Sequence, residues 1–404
     1  MASRAPPETL RMNSSLSDPR AKLALLERFG LSVLRRSPSH PAVAGEDDPI
    51  HVLNPEELRA LRRIERGAVL RAATAGALSG SASAGAAIWA HRFLGPNGAP
   101  LSNADALRFW GAVGAATLVA SAFEIGFLYW DALRTVHRMA TAAGLKLSEQ
   151  DLSREQTEIA LALARAALEL PNPPHAELGV DPRRESVRWI VALASLLYKA
   201  KIALTNFMLK GVLRSIIGQS LATIALELVT VPVTAIWNAV ICWFVVREAR
   251  LRTMGPSAAL ELVTLALSDL SPGAAGIESA LRAVASAIVR TQDLHPNHLA
   301  VLRVLHAKSG SPAIEALDDS RRFLERLRDL RGDDQKLALR LLVIAAILDG
   351  RLTRPERRLL TEAFHACGSA VDLAQVERLR RALVAGRQLD FSLIQSISDG
   401  LPNG

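Results

Sequence analysis

The chain has 404 residues, half of them hydrophobic but only 4% aromatic, and carries 48 Lys and Arg against 40 Asp and Glu, a formal charge of +8. Its two cysteines, Cys242 and Cys367, exclude a disulfide framework and a cysteine-rich zinc site. The positive balance does not mark a nucleic-acid surface, because most arginines alternate with acids, as in Arg321-Arg322-Phe323-Leu324-Glu325-Arg326, the pattern of a solvated helix face.

Ala, Leu and Val supply the apolar mass, and with abundant Arg they favour helix throughout. Residues 1–17, rich in Pro, Ser and Arg, read as disordered. A first helix is predicted to start at Asp18-Pro19, a cap followed by proline at the first helical position. The stretch 37–49, punctuated by Pro38, Pro41 and Pro49, reads as a linker. Asn54-Pro55-Glu56-Glu57 then opens another helix with a cap and an acidic first turn.

Ala72 to Ala90 is nineteen residues without a charge, near the length that crosses a hydrocarbon core of about 30 Å. Ala72, Gly76, Gly80 and Ala84 recur at every fourth position, a small-residue face of the kind that lets membrane helices approach closely. The expected partner is the next apolar stretch, Phe109 to Trp130, whose one acid is Glu124. Phe109 and Trp110 stand at one end of it and Phe127, Tyr129 and Trp130 at the other. All six tryptophans and both tyrosines of the chain lie inside or beside apolar stretches, as aromatic side chains with a polar tip do where lipid meets water.

Residues 131–188 read as soluble helices, one opened by the capping box Ser153-Arg154-Glu155-Gln156 and stopped at Pro171. The second apolar region is ambiguous. Trp189 to Leu209 carries Lys199 and Lys201 near its middle, each costing about 2.5–3.5 kcal/mol on insertion scales. Ile216 to Val246 has Glu227 as its only charge and Pro232 near its centre. Basic residues flank both ends, Lys210 and Arg214 before and Arg247, Arg250 and Arg252 after, so both ends favour the cytoplasm. A re-entrant hairpin turning near Pro232 is the favoured reading; two crossings, with Trp189–Leu209 as the other, is the second.

From Gly255-Pro256 onward the chain turns soluble and helical. Leu281-Arg282-Ala283-Val284, Pro296 and Leu305-His306-Ala307 are echoed by Leu339-Arg340-Leu341-Leu342, Pro355 and Phe364-His365-Ala366, an offset of 58 and then 59 residues. This spacing predicts two copies of a helix, a polar turn with proline and a second helix. The second copy continues Ile347-Leu348-Asp349-Gly350-Arg351-Leu352-Thr353-Arg354-Pro355-Glu356. That run resembles the tellurite-resistance TerB-like family, with its apolar helix, Asp-Gly turn and Pro-Glu helix start; the resemblance covers about residues 280–400. It implies an all-α module tied to membrane-associated stress systems, and an acidic divalent-metal site that Asp349 and Glu356 would carry. On their own residues, Thr353-Arg354-Pro355-Glu356 read as a capping box and Asp349-Gly350 as a helix-ending turn. Thr291 and Asn297 stand where the first copy would need matching acids.

Phosphate loops, dinucleotide fingerprints, metalloprotease helices and nucleophile elbows are all missing from the sequence, so no enzyme and no cofactor beyond that metal is expected. His295 and His298 flank Pro296 and read as surface histidines at a helix start. Glu124 and Glu227, ionisable groups within apolar segments, are candidates to line a polar path or to pair with Lys199 or Lys201.

The reading is therefore an all-α integral membrane protein. A partly disordered arm at 1–66 leads to a transmembrane hairpin at 67–130, built from spans 72–90 and 109–130. A soluble connector follows at 131–188, a second membrane-embedded region at 189–252, and a TerB-like module at 253–404. An Ala- and Arg-rich bias of the kind GC-rich bacterial genomes produce places it in a bacterial inner membrane as a multi-pass protein. The expected partners are the bilayer, a protein at the C-terminal module through helices 318–331 and 372–387, and a second copy of the chain. The expected function is that of scaffold, sensor or recruitment platform, with a small channel or transporter as the alternative.

Overall fold

A computed structural model describes residues 19–36, 52–93, 103–145, 154–170, 172, 178–182, 184, 222–309 and 317–399. The disordered arm expected at 1–17, the linker 37–49 and the apolar run Trp189–Leu209, with Lys199 and Lys201, lie outside those residues. Among the described residues there are twelve α-helices and no strand.

Three of them are far longer than a bilayer requires. They are α2 (Pro55–Phe93, 39 residues), α3 (Asn103–Ala142, 40 residues) and α5 (Ala222–Ser268, 47 residues). At 1.5 Å per residue each runs roughly 60–70 Å, about twice the thickness of a hydrocarbon core. Each helix is thus divided lengthwise into an apolar half and a half that packs in a polar-surfaced base. The three form a bundle, α2 lying against both α3 and α5.

At the base, α1 (Pro19–Arg36) and α4 (Arg154–Ala167) pack on each other and on α3 around Leu34, Leu133, Val136, Leu163 and Ala164. A second apolar seam there joins Leu61, Ala68, Met139, Val246 and Met254. The remaining helices form the C-terminal module. They are α6 (Ala274–Thr291), α7 (Pro296–Ser309), α8 (Ser320–Asp329), α9 (Gly332–Leu348), α10 (Arg354–Ala366), α11 (Leu373–Val384) and α12 (Phe391–Asp399). Its core surrounds α6 and α9 and takes in Ala258, Leu262, Val263 and Ala266 of α5, so α5 is the shared spine of bundle and module.

The helix starts follow from local chemistry. The Asn54 side chain accepts from the Glu56 and Glu57 amides while Glu57 Oε2 accepts from Asn54 N. Thr353 and Glu356 form the reciprocal capping box at the head of α10. The described part of α1 starts at Pro19, with the expected cap Asp18 outside the described residues.

α3 and α5 are long and apolar enough to cross a membrane. α2 matches them in length, but its Ala, Gly and Ser make it less apolar. The most apolar eighteen-residue window of α3 is 0% buried, and that of α5 only 17%. Leu118, Phe123 and Ile125 of α3 and Ile236, Val240 and Phe244 of α5 stand exposed. Each such side chain would gain about 1.5–3 kcal/mol on burial, and an exposed apolar belt of this kind marks a contact with lipid or with another protein.

One expectation about α5 needs correction. The hairpin turn near Pro232 does not form, because the helix runs unbroken through both Pro232 and Pro256. Beside Pro232, Thr234 Oγ1 donates to the Gly76 carbonyl of α2, and Val231 packs on Gly80. Around Pro256, Met254 and Ala258 are buried. A missing N–H removes one i→i−4 bond in each place, and packing on both sides holds the helix course. α3 runs on as one helix past the end of its apolar stretch at 130, to Ala142.

Candidate functional site

The polar groups of the apolar half meet at one level. A Cβ on Gly76 would lie 2.6 Å from the Thr234 carbonyl oxygen and 2.7 Å from Asn238 Nδ2, and one on Gly80 would lie 2.7 Å from Thr234 Oγ1. The small-residue face of α2 therefore receives α5, and the expected docking of Gly76 and Gly80 on the stretch Phe109–Trp130 is corrected. Ala72 and Ala84, on the same stripe, are buried. Because α2 and α5 approach so closely, Asn238 reaches past α2 to α3, where its Nδ2 donates to Glu124 Oε1 at 2.5 Å. Glu124 is thus a pairing group between helices. Glu227 lies in the first turns of α5, with its side chain outside the described residues.

One step nearer the base, Arg71 Nε donates to the buried Asp131 carboxylate at 2.8 Å and its Nη2 to Thr135 Oγ1 at 3.1 Å. Charge paired in this way is tolerated at a membrane boundary, whereas either partner alone is costly.

The second polar cluster lies where α5 enters the module. Glu248 Oε1 accepts from Arg252 Nε and contacts His295 Nε2, each at 3.0 Å. His295 Nδ1 accepts the Asn297 amide at 3.2 Å, so Nε2 carries the proton and donates to the carboxylate. Burial raises the Glu248 pKa, but the His295 hydrogen bond and the charges of Arg252 and Arg351 outweigh it and hold the carboxyl well below the usual range. Arg252 also donates to the Ala162 carbonyl and to Asn172, clamping α4 to α5. His298 Nε2 bonds the Ala345 carbonyl at 2.8 Å, and burial depresses its pKa. The expectation of surface histidines is corrected, because His295 and His298 are both buried. Nothing in the local sequence reveals that α5, some fifty positions earlier, covers them.

Asp349 and Glu356 are brought together, both buried. Asp349 accepts the Arg351 amide at 2.8 Å, and Glu356 Oε2 accepts the Thr353 amide at 2.7 Å. Burial first, and then the Asp349 charge, push Glu356 up to about 8. Glu356 Oε1 has no hydrogen-bond partner. Among the described residues no group of three or more His, Cys, Asp and Glu is arranged to hold a metal ion. Burial beside the Asp349 charge therefore favours the protonated form of Glu356. Between them Gly350 takes a left-handed φ of 70°, and a Cβ there would lie 2.4 Å from Leu251 Cδ1, so glycine is required. Its carbonyl accepts from Arg247 at 2.9 Å and from Arg380 at 2.7 Å.

The pseudo-repeat has a structural counterpart. Arg282 and Arg340 occupy equivalent positions, and both are almost wholly buried. Arg282 pairs with Glu278 at 2.9 Å, and Arg340 grips Asp269 with two bonds of 2.6 and 2.9 Å. Cys367 is half-buried, and burial raises its thiol to about 11, which fits an inert core group better than a nucleophile.

Sequence reasoning missed Asn238, Asp131 and the Glu248–His295 pair. Asn238 is the lone amide in the run Ile224–Val246, and that isolation was the available signal. Compared with family models, curated proteins and solved structures, the chain matches none.

Proposed function

We propose that the chain is an integral protein of a bacterial inner membrane, in which α2, α3 and α5 cross the bilayer and present a TerB-like helical module in the cytoplasm as a scaffold, sensor or recruitment platform. The observation that carries the reading is the uncovered apolar half of α3 and α5 on a bundle whose other half is normally packed. Orientation follows from charge. Arg63, Arg66, Arg134, Arg138 and Arg250 lie on the base halves of the helices, against Arg92 and Arg108 near the far end, and positive residues favour the cytoplasmic side.

The module is held to the bundle by one unbroken helix, by Arg247 on the Gly350 carbonyl, and by the Leu53 amide on the Gly386 carbonyl at 3.0 Å. Such a joint suits a platform that must hold its geometry relative to the membrane. With α11 turned to the bundle, α8 becomes the better partner surface. Phe323 and Leu327 face the core while Arg321, Arg322, Glu325 and Arg328 face out. A channel needs Glu124 open to a path, whereas here it is engaged by Asn238.

The test is affinity purification of the full chain in mild detergent, beside an Arg321→Glu/Arg328→Glu variant. The proposal expects a specific protein that co-purifies with the parent chain and is lost from the variant, with both equally membrane-bound. The same proteins recovered with both, or none with either, would refute recruitment through α8.

A further inference from the structure

At the foot of the bundle, α2, α5 and α11 enclose a cleft of about 520 Å³. Five arginines line it: Arg62 from α2, Arg247 and Arg250 from α5, Arg380 and Arg381 from α11; the one acid in the lining is Glu65. Glu65 is taken up by Arg250 at 3.0 Å. Glu377, outside the lining, pairs with Arg380 at 2.7 Å and Arg381 at 2.9 Å. Five guanidinium groups thus stand against two directly paired carboxylates, with Glu248 and Asp349 acting on Arg247 and Arg380 from outside the lining. Arg247 bonds neutral groups, the Gly350 carbonyl and the face of Trp243, whose centroid is 5.7 Å from its guanidinium carbon. Burial first, and then Arg380, Arg351 and Arg250, draw the Arg247 pKa below its ordinary value, which marks a concentration of like charge that an anion would relieve.

Position narrows the anion. Trp243 and Val246 form the apolar wall of the cleft. From Trp243 an uncovered apolar track continues along α5 through Phe244 and Val240 into the belt of exposed side chains. Planar guanidinium forks match phosphate oxygens, and basic pockets on the cytoplasmic side of membrane helices suit acidic headgroups. We propose that this cleft binds a phosphate-bearing anion, supplied by the headgroup of an acidic phospholipid whose acyl chains lie along α5. Because Arg247 and Arg380 also hold the Gly350 turn, the headgroup would sit at the joint between bundle and module and tie its rigidity to the lipid. The choice of lipid as source rests on the membrane reading above; the phosphate site does not.

The experiment uses the full chain in mild detergent, titrated with short-chain phosphatidylglycerol, short-chain phosphatidylcholine and inorganic pyrophosphate, and read by native mass spectrometry and thermal melting. The parent chain should bind phosphatidylglycerol at least about tenfold more tightly than phosphatidylcholine. Arg62→Gln/Arg381→Gln should remove that preference, while Arg321→Gln on α8 leaves it unchanged. Arg381→Gln alone, at a largely exposed side chain, guards against loss of fold and should weaken binding in part. Pyrophosphate binding with the same arginine dependence, without lipid preference, would keep the phosphate site and overturn the lipid assignment. No preference for either anion over phosphatidylcholine in a folded parent chain would overturn the proposal outright. Because the pyrophosphate arm needs no bilayer, failure of the membrane reading and failure of the site are told apart.

Discussion

Glu356 shows how one residue serves a cap and a proton at once. Its Oε2 closes the capping box while Oε1 is buried without a partner. A carboxyl whose folded pKa lies above its ordinary 4.5 binds more protons folded than unfolded. Its contribution to stability is complete at acidic pH and is lost as pH climbs through about 8. The melting temperature should therefore fall between pH 5 and pH 9, equivalent to about 4 kcal/mol. Glu356→Gln, which keeps a capping-box acceptor, should flatten that slope, and an equal slope in both proteins would refute the account. Thr353→Ala removes the other half of the box and should cost about 1 kcal/mol at any pH. In the bundle, Gly76→Ala places a methyl 2.6 Å from the Thr234 carbonyl oxygen. It should lower the melting temperature in detergent by several degrees, more than Gly85→Ala, whose added Cβ meets nothing within 4 Å. Equal effects would mean that α5 does not lie on this face.

Among the helices, α5 separates what was legible in sequence from what was not. The apolar run, its flanking arginines and the polar stretch beyond were all readable, as were the caps at Asn54 and Thr353, because these depend on neighbours in sequence. The course of the chain through Pro232 was not, since proline signals both a turn and a packed kink, and the decision belongs to Gly76 and Gly80 on another helix. The burial of His295 and His298 by α5 was hidden for the same reason. A prediction follows for Pro232→Ala. Within a helix the substitution restores an N–H and a backbone bond, so the purified protein should melt no lower than the parent. A loss of several degrees would point to a turn that proline supports.

For the whole molecule, the claim is that lipid covers one half of a bundle whose other half is covered by protein. The composition already implied separated apolar stretches and an all-helical chain, and the structure places the uncovered side chains on α3 and α5. The extension of the same helices into the base was less legible, because a helix crossing from lipid to protein changes its surroundings without changing its backbone. The most direct measurement is alkaline carbonate extraction of membranes from cells producing the full chain, followed by flotation. The account predicts that the protein floats with the lipid and leaves it only in detergent. Recovery in the aqueous supernatant as a compact monomer would contradict it.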